Sequence, residues 1–207
     1  MLRLTFSLFH WLLLAVTRGA KCSEAGPFET RWGPTPQLPY GTTPLDSSQL
    51  PQLLAQKTSL DHDTRSMETI RNKLSLYAFA IDGKQFDVLE QIFSSDAVAN
   101  YSAPLGVLSG VAEIIATMEQ TQAKVSAGQH SLSSQFVEIV DEHNAFSVSY
   151  FVSAQFGKGV YLNEGLYSTG QYQDSWFRQD PKRQEWMISH RNLVYMLPFV
   201  GNLSIFS

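Results

Sequence analysis

The hydrophobic period of this chain changes once, and that change decides what it can fold into. Between Met67 and Met118 the apolar residues recur at three- and four-residue intervals, whereas after Gly128 they recur at every second residue. The first spacing lines one face of a helix and the second lines one face of a strand. Met67, Ile70, Leu74, Tyr77 and Ile81 predict an amphipathic helix that stops at Gly83. Phe86, Leu89 and Phe93 predict a second, short helix, and residues 97–101 a short strand. Val111, Ile114, Ile115 and Met118 form the stripe of a third helix, with Ser109 as N-cap and Glu113 in its first turn. Phe146, Val148, Tyr150, Val152, Ala154 and Phe156 then alternate with the residues between them, the pattern of a long antiparallel strand. Residues 164–178 and 185–195 predict two more, joined by the turn Asp180-Pro181-Lys182-Arg183. Helices followed by long strands make an α+β domain, with about three helices on one face of a curved antiparallel sheet.

The N-terminal third has a different character. Residues 1–20 read as a secretory signal peptide: Arg3 precedes a Leu-rich apolar run over residues 4–16, too short to cross a bilayer as a helix. The expected location is secreted or in the lumen of the secretory pathway, with no membrane attachment of the mature chain. Residues 21–64 are rich in Pro, Gly, Ser and Thr and predict an extended arm outside the compact core, whose Phe28, Trp32 and Tyr40 can dock on the domain or on a partner subunit. Residues 65–207 are the folded domain. Cys22 is the only cysteine, so the domain has no internal disulfide and must be held by its core. Asn100-Tyr101-Ser102 and Asn202-Leu203-Ser204 are glycosylation sequons. With 15 basic and 19 acidic residues and no basic stripe, the chain is not built for nucleic acid.

Asp82 breaks a local rule. It occupies the last turn of its helix, where the macrodipole disfavours an anion by roughly 0.3–1 kcal/mol. Such violations mark functional or strained positions, although Asp-Gly is also ordinary turn chemistry. His130 is the best candidate acid–base group, because imidazole takes and gives protons near neutral pH; the alternative is a structural histidine in a strand. His62 and His143 lie in polar, loop-like stretches and His190 precedes Arg191 on the last strand. Asp174, Trp176 and Arg178 read as a packed polar ladder, and Tyr172 and Trp176 as core. H-E-x-x-H, Cys-x-x-Cys, G-x-S-x-G and a Gly-rich phosphate loop are all missing from the sequence. Neither a metal nor a nucleotide cofactor is expected.

The segment YAFAIDGKQFDVLEQIFSSDAVANY, the YQDSWFRQD strand and the WMISHRNL strand resemble the SnoaL-like branch of the nuclear transport factor 2-like superfamily over residues 64–197. Scytalone dehydratase is a distant relative of the same layout. The resemblance implies a cone-shaped fold whose sheet and helices enclose a deep apolar pocket. It also implies a cofactor-independent lyase or isomerase, of dehydratase or cyclase type, acting on a small, largely apolar metabolite such as a polyketide or terpenoid. A non-catalytic ligand-binding or oligomerisation module of the same fold is the alternative, and a homo-oligomer is expected in either case. The dehydratase's Asp, Tyr and first His fall on Asp82, Tyr101 and His130. Its second His has no counterpart in residues 152–156, and its later Ser and Asn fall near Gln171 and Gln173. The resemblance thus implies catalytic roles for His130, Asp82 and Tyr101, and substrate binding by Gln171 and Gln173. Tyr77, one helical turn before Asp82, is a further candidate for the pocket lining. Strand alternation should turn Tyr101 inward and Asn100 to the other face.

Overall fold

The computed structural model describes residues 41, 43–55 and 63–206. The signal-peptide region, Phe28, Trp32, Tyr40 and His62 lie outside the described residues. Three helices, α1 (Leu50–Ala55), α2 (Thr64–Asp82) and α3 (Val111–Thr121), accompany six strands. The strands are β1 (Phe93–Asn100), β2 (Val107–Ser109), β3 (Val125–Ile139), β4 (Asn144–Gly157), β5 (Gly165–Phe177) and β6 (Met187–Gly201). They form one curved sheet in the order β2-β1-β6-β5-β4-β3.

The sheet is antiparallel except where β1 pairs with β6, which run parallel. The wholly antiparallel expectation fails there because β6 returns between β1 and β5 and takes its direction from β5. β3 spans fifteen residues. Its many Ser, Gln and Gly residues hide it from the periodicity. The predicted second helix is a 3-10 turn over Phe86–Gln91. Gly110, not Ser109, caps α3, with φ +86°, a conformation that favours glycine. Ser109 instead donates its N–H to Glu113 Oε2 at 2.7 Å, so the acidic residue of the first turn ties down the chain entering the helix.

α2 begins at Asp63, whose Oδ1 accepts the Ser66 N–H at 3.0 Å. It buries Ile70, Leu74, Tyr77 and Ile81 against the inner face of the sheet, as its spacing dictates. It ends at Gly83, but the left-handed residue is Lys84, with φ +57°. The Lys84 ammonium is bonded to the Val125 carbonyl, which fixes the start of β3 beside the end of α2. That junction places Asp82 next to the strand carrying His130.

Part of the expected arm belongs to the fold. Asn192 Nδ2 donates to the Gly41 carbonyl at 2.9 Å, and Gln173 brackets Leu45 with bonds of 2.7 and 3.0 Å to its N–H and C=O. Leu50 of α1 is then buried against Phe146 and Val148 of β4, with Leu45, Leu53 and Leu54 around it. Gly41 and residues 43–55 therefore strap the outer face of the sheet from β6 to β4. The composition of the segment as a whole conceals the short Leu-rich stretch LPQLLA that finds an apolar strand face. Leu50→Ala should cost about 2–4 kcal/mol, the usual loss for a buried Leu, read as a lower urea midpoint. An unchanged midpoint would return the strap to the status of a loose arm.

Candidate active site

The inner faces of β3–β6 and one side of α2 and α3 enclose a narrow cavity of about 30 Å³, room for about two water molecules. Alternation along the strands decides what faces it. His130 of β3, Ser153 of β4 and Ser168 of β5 are successive register partners and form one polar row. Phe151 and Gln155 flank Ser153 on the same face, and Tyr172, Leu193 and Tyr195 complete the sheet side. Ile81, Tyr77, Met118, Thr121 and Gln122 come from the helices and their ends. Phe206, just after the C-terminal 3-10 turn Leu203–Ile205, also lines the cavity.

Asp82 meets His130 twice. Its Oδ2 accepts the His130 backbone N–H at 2.7 Å, and its Oδ1 lies 2.6 Å from Nδ1 of the ring. A carboxylate only accepts, so Nδ1 carries a proton, and in the neutral ring the lone pair is then on Nε2. Asp82 stands behind the ring and His130 lines the cavity, so Nε2 is the edge presented to a ligand. The two hydrogen bonds offset the unfavourable helix end and explain how an anion is kept there.

Tyr101 follows β1, is 2% exposed and lines the same cavity. Asn100 is partly exposed, and its Oδ1 accepts the Ser102 N–H. The Tyr101 and Tyr77 hydroxyls are 3.2 Å apart. Burial, with Tyr77 beside it, pushes the Tyr101 hydroxyl well above the ordinary tyrosine range, against the pull of Arg191. Tyr101 is thus a hydrogen-bond donor and not a base at any working pH. Tyr77, Tyr101 and His130 line one cavity, and Asp82, expected beside them, stands outside the lining and reaches it through His130.

Gln171 and Gln173 do not join them. Both alternate with the inward Tyr172 and face the outer side of the sheet, where Gln173 holds the strap and donates to Gln171 Oε1 at 3.1 Å. The polar ladder also resolves differently. Arg191 donates to Asp174 at 2.7 and 2.9 Å, and both residues are fully buried. The Arg191 guanidinium lies against both the Tyr77 and the Tyr172 ring, 4.1 and 4.3 Å from their centroids, while the two rings touch edge to face. Arg178 instead reaches the Glu142 carbonyl and Ser66. His143 packs on Phe177 at the surface end of β5, and His190 is near Ser189 Oγ, away from the cavity. Asn202, the second sequon, donates through Nδ2 to Glu164 and caps the turn leading to Phe206. Arg191 and Gln155 escape the sequence reading. Their one signal is a polar residue on an otherwise inward-facing row: Arg191 with Leu193 and Tyr195, Gln155 with Phe151 and Ser153.

Among the described residues no group of His, Cys, Asp and Glu could hold a metal. No described helix is long and apolar enough to cross a membrane.

Residues 62–192 match the family model of the SnoaL-like domain, so the chain belongs to the SnoaL-like family. The fold is that of the nuclear transport factor 2-like superfamily. A candidate aromatic ring hydroxylase from Novosphingobium aromaticivorans superposes with a TM-score of 0.62 at 21% identity, covering 71% of this chain and 100% of that one. A candidate scytalone dehydratase of the same organism gives 0.60 at 18%, covering 68% and 89%. A hexachlorocyclohexane dehydrochlorinase from Novosphingobium barchaimii gives 0.58 at 15%, covering 70% and 94%. A sequence search of curated proteins finds no match. At these identities the likeness establishes the fold, and function must be argued from the site.

At about 30 Å³ the cavity of this state is smaller than a metabolite, and Phe206 is one of the side chains that bound it. Phe206→Ala should enlarge it toward the roughly 150 Å³ that accepts a benzene molecule. Benzene-induced NMR shifts of the residues around Phe151 are expected in the variant and not in the parent. Equal binding by the parent would show that the ring is not the stopper.

Proposed function

We propose that the protein is a cofactor-independent lyase or isomerase that uses acid–base chemistry on a small, largely apolar metabolite. The observation that carries this reading is the Asp82–His130 pair, whose free Nε2 edge borders an aromatic-walled cavity. Nε2 takes a proton from an acidic C–H of the ligand. The released electron pair forms a double bond as a leaving group departs, or shifts an existing double bond when the proton is returned elsewhere. Asp82 holds the tautomer and stabilises the imidazolium that forms. Tyr101 donates to oxygen on the ligand where negative charge develops. That structural relatives include a candidate dehydratase and a dehydrochlorinase favours the elimination branch.

The test needs no prior substrate. The purified parent and His130→Ala are incubated with a fractionated metabolite extract without added cofactor, and mass spectrometry follows each compound. A compound consumed by the parent, with a product lighter by the leaving group or of equal mass, and spared by the variant supports the reading. Identical traces would leave the second reading, a ligand-binding or oligomerising module of the same fold, which the small size of the cavity favours.

A secretory route and self-association remain part of the proposal. The Leu-rich start and the two sequons support the first. Expression with the native start should yield a mature N-terminus between roughly residues 19 and 24; an intact Met1 on a cytosolic product would exclude it.

A further inference from the structure

Among the described residues lining the cavity, Gln155 alone carries a buried polar atom, Oε1, with no hydrogen-bond partner. The residue is 2% exposed. It stands on β4 opposite Gly128 of β3. A Cβ at Gly128 would lie 3.5 Å from Asp82 Oδ1 and 3.6 Å from Gln155 Cγ. Both are ordinary contact distances, and they place the stem of Gln155 and the Asp82 carboxylate beside the same Gly128 backbone position. An unpaired buried amide destabilises a fold, and an apolar side chain of the same length would be more stable there. Such a cost, kept at a cavity wall, points to a group that is paired only when a ligand is present.

We propose that the Gln155 carboxamide is the specificity-determining anchor of this cavity and takes the hydroxyl group of a ring-shaped ligand. This rests on the acid–base reading of the same cavity and goes beyond it by naming the ligand's polar group and the residue that selects it. A hydroxyl both donates and accepts, so it satisfies the amide in either orientation. Among the described residues no Asp, Glu, Lys or Arg lines the cavity to meet a charged ligand group, since Arg191 pairs with Asp174 outside the lining. The neighbouring Phe151 and Tyr172 rings stack on each other at 4.5 Å and 18° and, with Leu193, give the rest of this wall an apolar lining that suits the carbon frame of a ring. His130 pairs with Ser153, one inward position from Gln155. A hydroxyl held by Gln155 therefore lies in the row beside the imidazole and leaves Nε2 for a C–H of the same ring.

Phenol and fluorobenzene test this, since they share the ring and differ mainly in the hydroxyl. Their affinities are measured by titration calorimetry on the full chain and on Phe206→Ala, alone and combined with Gln155→Met, Gln155→Leu or His130→Ala. The ratio of phenol to fluorobenzene affinity should fall about tenfold in the Gln155 variants, the value of one hydrogen bond to an otherwise unpaired group. It should stay within about threefold in His130→Ala. The free Gln155→Met chain should melt at the same temperature as its parent or about 2–4 °C higher, because an orphaned amide has been removed. A ratio untouched by both Gln155 variants, or lowered only by His130→Ala, would overturn the assignment while leaving the cavity a ligand site. Failure of both probes to bind even with Phe206→Ala would overturn the assignment together with the acid–base reading.

Discussion

His130→Ala is expected to slow turnover by about 10²–10⁴-fold, the range that a positioned general acid–base group contributes. The geometry makes the loss specific. The ring presents Nε2 to the cavity only because Asp82 holds Nδ1 at 2.6 Å. Removing the imidazole leaves Tyr101 as a donor and no base among the side chains that line the space. Single-turnover rates on the compound identified from the extract would measure the effect. A fall of less than about tenfold, below the general-base range, would remove His130 from the chemistry.

Asp82→Asn is the companion test, and its stability effect reverses a simple expectation. Judged from the helix end alone, loss of the charge should be neutral or stabilising. In the structure Asp82 accepts two hydrogen bonds from one residue. A carboxamide in its place could keep one of these bonds through its oxygen, but its NH₂ group would confront a donor. Activity and stability should therefore both fall, with the larger change in activity. Scytalone itself should not be dehydrated, because Ser153 and Gln155 stand on the strand where the dehydratase carries its second histidine. Rapid scytalone turnover would mean that the chemistry does not need that group.

What can be read from the sequence is whatever depends on local periodicity. α2, α3 and β4 follow from apolar spacing, and Asp82 stands out because it opposes a helix dipole. The edge strand β3 is obscure because an edge needs no continuous apolar face. The strap is obscure because the strand face that covers Leu50, Phe146 and Val148, lies 96 and 98 positions away. Gln171 and Gln173 enter the expected site only through likeness to a distant relative. The side of a strand on which a residue falls is reversed by a one-residue error in register, and Tyr172 is the inward neighbour of both. Arg191 gives only its place on the Leu193 and Tyr195 row, because an isolated Arg in a strand carries no sign of the Asp174 seventeen residues earlier that makes its burial possible.

That pair underlies the largest stability change expected in the domain. Arg191→Met should cost about 3–5 kcal/mol, because it leaves Asp174 buried without its partner. A domain of this kind has only about 5–15 kcal/mol in total. In the parent, burial works against the charge on Arg191, and the Asp174 carboxylate more than compensates, so the guanidinium pKa lies well above its usual value. Burial raises the pKa of Asp174, and Arg191 is the group that opposes the rise. In the variant that opposition is gone. A carboxyl whose folded pKa exceeds its unfolded value stabilises the fold below the unfolded pKa and loses that contribution as pH rises through the folded one. Arg191→Met should therefore be least stable at about pH 7–8 and recover part of its loss toward about pH 4–5, relative to the parent. Arg191→Met combined with Asp174→Leu should regain most of the stability and lose this pH dependence, since apolar replacement of a buried pair is often neutral. Urea midpoints of the three proteins across that pH range give the measurement. A single variant within about 1 kcal/mol of the parent, the scale of an exposed pair, would show that solvent reaches Asp174. The Tyr77 and Tyr172 wall of the cavity would then not depend on the guanidinium packed against both rings.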